Sequence, residues 1–159
     1  MIILQDSREQ SPLEFADDLI TEVMIVPLKV ADYGCEFKNG YVPPVYFERK
    51  SLTDLFSTLG TGYDRFKREL DRAKEESYKI ILIVEGTIYD ILMGTEYSDR
   101  KGLTVLRQIF TLWIKYDLMP VFCKDRLEMS MFITHYYSAI GRKAIRDLKE
   151  KGRSGKTTL

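Results

Sequence analysis

The sequence predicts an α/β fold, a mixed central β-sheet flanked by helices, and three observations carry that expectation. Strand-like runs separated by hairpin signals fill the first third of the chain, forming a meander. One strand then runs directly into a capped helix. From residue 79 onward, apolar strands alternate with segments of helical period, as in sheets covered by helices. At 159 residues and 18.6 kDa the chain can build one full core but not two comfortable ones.

Residues 1–5 form a short apolar run that reads as a first strand. Asp6-Ser7-Arg8-Glu9 lies at its carboxyl end, and Pro12 favours a turn or the opening of a short helix. Residues 23–30 are rich in β-branched side chains and read as a second strand, with Pro27 marking an edge or a bulge. Residues 33–37 read as a third strand after Asp32, and Lys38-Asn39-Gly40 is a hairpin signal. Pro43-Pro44 stiffens the entry to the next strand. Such a hairpin folds Asp32 back beside Glu48.

Along Val45-Tyr46-Phe47-Glu48-Arg49-Lys50, alternate side chains share a face. Tyr46, Glu48 and Lys50 therefore point one way, and Val45, Phe47 and Arg49 the other. Ser51 followed by Asp54 has the form of a helix N-terminus, and Leu52, Leu55, Phe56 and Leu59 recur at helical spacing. Gly60-Thr61-Gly62 breaks that helix and is placed to cover a substrate. Residues 63–77 read as a second helix with Tyr63, Phe66, Leu70 and Ala73 inward. Arg65, Arg68 and Arg72 line one flank of it. Two readings stand for that row: a grip on a nucleic-acid backbone, or a solvated face paired with Glu69, Asp71, Glu75 and Glu76.

Residues 79–85 are the most continuous apolar strand and belong at the sheet centre. A short helix over 87–93, a polar loop over 94–102, a helix over 103–116 and a last strand over 119–123 follow. Asp125 caps a long helix running to about Leu148.

A carboxylate two residues before a lysine on one strand face, with a second acid nearby, suits phosphodiester hydrolysis. Glu48 and Asp32 would hold a divalent cation that polarises the phosphate, and Lys50 would orient water or neutralise developing charge. Arg49, facing away from Glu48, braces the sheet or a phosphate, while its carbonyl is free to face the metal. Asp54 has two readings, capping acid or member of the site.

The run Glu48-Arg49-Lys50-Ser51-Leu52-Thr53-Asp54, preceded by Asp32-Tyr33 and by Asp6-Ser7-Arg8-Glu9, resembles the XPF-type nuclease domain of the restriction-endonuclease-like superfamily. That family carries Gly-Asp, a variable gap, Glu-Arg-Lys, three residues and Asp. The chain departs at Ala31, where the family has glycine, which alters the local turn but removes no ligand. The resemblance covers roughly residues 1–140. It implies a restriction-endonuclease-like fold and a DNA endonuclease dependent on Mg2+ (or Mn2+), structure-selective, serving DNA repair, recombination or replication. It also implies a site of Asp32, Glu48 and Lys50 supported by Arg8, Arg49, Asp54 and Asp6; the other reading of Arg8 is a surface pair with Glu9 or Asp6. Because such families include members without their acids, the alternative is a non-catalytic DNA-binding or scaffolding subunit. The helix-hairpin-helix pair that XPF-type enzymes commonly add has no room after Leu148, so the preferred DNA structure does not carry over.

With 24 basic and 24 acidic residues the formal net charge is zero, so no global field attracts DNA. Basic charge gathers instead after residue 141, in Arg142, Lys143, Arg146, Lys149, Lys151, Arg153 and Lys156. Arg142, Lys143 and Arg146, with Arg65, Arg68 and Arg72, are the candidate DNA contacts. Residues 1–148 are thus the expected nuclease domain and 149–159 a basic, disordered tail. Its run Gly152-Arg153-Ser154-Gly155-Lys156-Thr157 has two residues between glycines where a phosphate-binding loop needs four. His135, the single histidine, lies in an apolar helix and reads as a core or interface residue rather than a ligand, which counts against histidine-dependent hydrolysis. Cys35 and Cys123 lack metal-site spacing and read as small buried hydrophobes of a reducing compartment. No run approaches the ~18 apolar residues of a membrane span, and no basic segment precedes an apolar one at the N-terminus. The expected location is intracellular: cytoplasm, nucleoid or nucleus, or host cytoplasm for a viral source.

A homodimer joined through the C-terminal helices is expected. Leu127, Met129, Met131, Phe132, Ile133, Tyr136, Tyr137 and Ile140 occupy nearly every direction around the last helix, and Leu112 and Ile114 lie outside the stripe of the preceding one.

Overall fold

Alternation in the apolar strands places two cores on opposite faces of one sheet. The computed structural model describes the chain through Ser154, with side chains through Glu150. Its strands are β1 (Ile2–Asp6), β2 (Glu22–Val26), β3 (Tyr33–Glu36), β4 (Val45–Ser51), β5 (Lys79–Glu85) and β6 (Met119–Cys123). The helices are α1 (Leu52–Thr58), α2 (Tyr63–Glu75), α3 (Ile88–Met93), α4 (Gly102–Tyr116) and α5 (Arg126–Ser154). The six strands form one mixed sheet in the order β2-β1-β3-β4-β5-β6.

β1, β3 and β4 run antiparallel, with Ile3 opposite Cys35 and Tyr33 opposite Phe47, whereas β4, β5 and β6 run parallel. The meander expected through the first third holds for β3 and β4 but not for β2, which lies parallel to β1 on the outer edge. Pro27 supplies the reason. It has no N–H for the ladder, so β2 stops at Val26. The following segment crosses the end of β1, where the Leu28 N–H donates to Asp6 and the Asp6 N–H to the Asp32 carbonyl, each at 2.8 Å. β3 is thereby delivered to the other side of β1.

β5 is buried on both faces. Ile80, Leu82 and Val84 pack with Leu55, Phe56, Phe66, Leu70, Ile109 and Leu112 under α1, α2 and α4. Ile81 and Ile83 pack with Phe47, Tyr33, Met129, Ile133 and Tyr137 under α5. The Tyr137 hydroxyl donates to the Val45 carbonyl at 2.7 Å and fixes α5 to β4. Cys35 and Cys123 are buried free thiols, pushed up to about 12 and about 11 by desolvation.

α5 continues to Ser154, past the position where the basic tail was expected to begin. Residues 155–159 and the side chains of Lys151, Arg153 and Lys156 lie outside the described residues. No helix among the described residues is long and apolar enough to cross a membrane.

Candidate active site

The period-two geometry of β4 builds the site. Glu48 and Lys50 project toward α2, while Phe47 and Arg49 project toward α5. Lys50 Nζ lies 2.6 Å from Glu48 Oε1 and 5.9 Å from the centre of the Phe66 ring. Ser51 caps α1 as its spacing with Asp54 implies: Oγ accepts the Asp54 N–H at 3.2 Å and donates to the Asp54 carboxylate at 2.7 Å. The cap ends β4 at Ser51, one residue beyond Lys50.

Asp32 arrives from the neighbouring chain segment. Its N–H donates to the Phe47 carbonyl at 2.9 Å, and its Oδ2 accepts the Arg49 N–H at 2.7 Å. The preceding Ala31 has φ 58°, in the left-handed region that costs a residue with a Cβ roughly 1–2 kcal/mol. The turn for which the family uses glycine is therefore made here by alanine, with the same aspartate delivered.

Asp32, Glu48 and Lys50 line a cleft of about 590 Å³ between the sheet and α2, walled by Arg65, Glu69 and Arg72. Burial, followed by the charge of Glu48, pushes Asp32 up to about 7, against the lowering effect of the Arg49 N–H. Glu48 is also raised, foremost by burial, despite Lys50 beside it. Burial would lower Lys50, but the charges of Glu48, Asp32 and Glu69 outweigh it and hold the ammonium charged. Two crowded carboxylates in such a place favour either a shared proton or a cation.

No group of three or more His, Cys, Asp or Glu that could hold a metal occurs among the described residues. The cleft offers two carboxylates, those of Asp32 and Glu48. That suits Mg2+ (or Mn2+), which keeps several waters and binds through one or two carboxylates, and does not suit a closed zinc site.

The remaining candidates are distributed differently. Asp6 is 2% exposed and both its oxygens are engaged: Oδ1 by the N–H and Nε of Arg8, Oδ2 by Arg8 NH2 and the Leu28 N–H. Burial acts to raise it, yet the Arg8 fork and the two amides hold it below the usual range. Asp6 thus anchors the crossover at the cleft rim, and Arg8, 73% exposed, is bound to it there. Arg49 turns its guanidinium to the far face, where Nε and NH2 meet the Glu9 carboxylate at 3.0 and 3.1 Å. Asp54 is engaged by its cap and does not line the cleft. Arg65 and Arg72 wall the cleft, whereas Arg68 points outward from the same helix. Arg142, Lys143 and Arg146 are exposed on α5, across the sheet from the cleft. The Gly60-Thr61-Gly62 turn folds back on α1, with the Gly60 and Gly62 N–H groups bonded to Ser57, and does not line the cleft either. His135 is half exposed, 3.5 Å from Asp17.

Sequence reasoning gave Glu9 no role in the site and Glu69 only that of a partner to the arginine row, where it lies 3.9 Å from Arg65. Glu69 belongs to the cleft wall through its place four residues after Arg65 on α2. Glu9 carried no local signal beyond the Asp-x-Arg-Glu run, because its partner lies forty residues away.

The ERCC4 domain family model matches residues 5–136. XPF from Aeropyrum pernix superposes with a TM-score of 0.64 at 17% identity, over 94% of this chain and 69% of that one. XPF from Aeropyrum pernix in complex with DNA gives 0.63 at 18% identity, over 90% and 66%. The chain thus spans about two thirds of the length of those structures and shares their restriction-endonuclease-like fold. No curated protein matches it by sequence. With the family model covering most of the sequence and the Glu48-Arg49-Lys50 strand in the matching fold, the chain belongs to the ERCC4 domain family.

Proposed function

We propose that the protein is a divalent-metal-dependent, structure-selective DNA endonuclease acting in DNA repair, recombination or replication. The observation that carries this reading is the convergence of Asp32 and Glu48, both raised, beside a charged Lys50 in one open cleft. Asp32 and Glu48 would hold the metal, with the Arg49 carbonyl on the same side of β4 as its N–H toward Asp32. When bound, Mg2+ or Mn2+ supplies charge to the phosphate and lowers the pKa of an attacking water. Lys50 contributes a fixed positive charge where negative charge grows on the phosphorus oxygens. Arg65 and Arg72 receive the phosphodiester backbone at the cleft wall, and Arg8 stands at its rim. A non-catalytic scaffold would have no use for this set of acids and amine, and its retention favours catalysis.

The proposal includes a homodimer joined through the C-terminal helices, which flank the β6 edge. β6 ends the sheet, so one row of its backbone groups has no neighbouring strand. Beside it, α4 exposes Phe110, Trp113 and Ile114, and α5 exposes Leu127 and Met131. The apolar surplus of α5 is smaller than its sequence suggests. Met129, Ile133 and Tyr137 fill the protein's own core, as does Leu112 of α4, and Phe132 and Tyr136 pack edge-to-face on Phe47. What remains exposed lies on the two helices that flank β6, one on each face of the sheet.

Cleavage of a labelled panel of forks, flaps, junctions, nicks and plain duplexes with magnesium or manganese tests the reading. Metal-dependent cutting of branched DNA supports it, and no cutting of any member contradicts it.

A further inference from the structure

We infer that Glu9 is a positioning residue for the site: by clamping the Arg49 guanidinium beneath β4, it holds the Arg49 peptide so that its N–H fixes the Asp32 carboxylate. The inference rests on the nuclease reading above. Glu9 and Arg49 side chains are 6% and 7% exposed, and two bonds of 3.0 and 3.1 Å join them as a fork. A paired guanidinium at that burial has one seat, since any other would leave an unpaired charge in the core. At the edge of β4, the backbone N–H of Arg49 is the only hydrogen-bond donor found for the Asp32 carboxylate among the described residues, at 2.7 Å. One residue of β4 therefore connects a clamp on one face to a metal ligand at the other.

The clamp is itself part of a ring. Glu9 accepts the Ser11 N–H at 2.7 Å, and the Ser11 and Pro12 carbonyls accept Arg126 at 3.0 and 2.6 Å. Arg126 and Arg49 each lie 3.8 Å from the same oxygen of Glu85. Charges alternate around the ring, and it ties the segment after β1, the end of β5 and the first turn of α5 beneath the strand that carries Glu48 and Lys50. Outer groups of this kind orient the ligands they do not themselves replace.

The test compares wild type with Glu9→Gln, which keeps the shape but loses the charge. Three quantities are read: hydrogen exchange of the Arg49 amide, Mn2+ affinity by calorimetry, and DNA affinity in chelator. The expected result is Arg49 exchange at least about tenfold faster and Mn2+ affinity about tenfold to a hundredfold weaker, with DNA affinity unchanged. If Glu9→Gln does not fold, the pair Glu9→Met with Arg49→Met removes both buried charges together and should show the same losses in a folded protein. A folded variant with a lower melting temperature but wild-type Arg49 protection and wild-type Mn2+ affinity would overturn the inference, leaving the pair a stabilising contact only. Failure of the nuclease reading looks different. Wild type would then bind no Mn2+, while the Arg49 amide would still report whether Glu9 holds residue 49.

Discussion

Lys50 Nζ sits 2.6 Å from Glu48 Oε1, two residues along one face of β4. The contact keeps an ammonium charged next to an acid that burial pushes toward its neutral form. In the proposed reaction the two groups separate their tasks, Glu48 toward the metal and Lys50 toward the phosphate.

Lys50→Ala should therefore retain Mn2+ and DNA binding while losing cleavage by about a hundredfold or more, the loss typical of one preorganised charge donor. Single-turnover rates at saturating metal, set beside calorimetric affinities, check this. A near wild-type rate would mean that the shared face has no catalytic meaning.

The Asp32 carboxyl is raised from its ordinary 3.8 to about 7, so the folded state binds this proton more tightly than the unfolded chain does. Its contribution to stability is full below about pH 4 and is lost as pH rises toward 7, by at most about 4 kcal/mol. Asp32→Asn removes that dependence. Melted in chelator, the variant should gain on wild type between pH 5 and pH 8. Manganese at pH 8 should then stabilise wild type and leave the variant unmoved. Parallel pH profiles for the two proteins would refute the assignment.

Ala31 holds φ 58° immediately before Asp32. Glycine adopts that conformation without the Cβ clash but has more freedom to lose on folding, so Ala31→Gly should stabilise by up to about 1 kcal/mol. Denaturant midpoints measure it, and cleavage should be unchanged. A destabilised variant would show that the turn is unstrained.

Ile114 is 88% exposed on α4 beside the β6 edge. Light scattering at micromolar concentration should give twice 18.6 kDa for wild type and the monomer mass for Ile114→Glu. Phe132→Glu is a poorer probe, because that ring packs on Phe47 in the protein's own core. A wild-type mass near 18.6 kDa would end the dimer proposal.

The parts of the site that sequence revealed are those set by local geometry. Side-chain alternation placed Glu48 and Lys50 together, the Ser51 cap fixed where β4 stops, and the Asn39-Gly40 turn, with Gly40 at φ 78°, folded Asp32 back. Periodicity assigns a residue to a face but names no distant partner. It therefore gave no sign that Arg49 would reach Glu9, or that the Leu28 amide would join Arg8 on Asp6. Pro27 marked an edge or a bulge, and β2 is an edge strand, but its parallel pairing with β1 outside the meander was not foreseen, since strand order depends on a crossover and not on the strand's own pattern. The breadth of the α5 apolar surface misled differently. This long helix covers one sheet face with help from Leu13, Phe15 and Ile20 of the segment after β1, so its own core requires a wide band.

The central claim is that Asp32 and Glu48 together hold the ion on which cleavage depends. Mn2+ titration by calorimetry of wild type and Glu48→Ala, followed by cleavage of a labelled fork by the same samples, tests it most directly. The expected result is binding and cutting by wild type, both abolished in a Glu48→Ala protein that remains folded. Equal Mn2+ affinity in the two proteins, or undiminished cutting by Glu48→Ala, would contradict it.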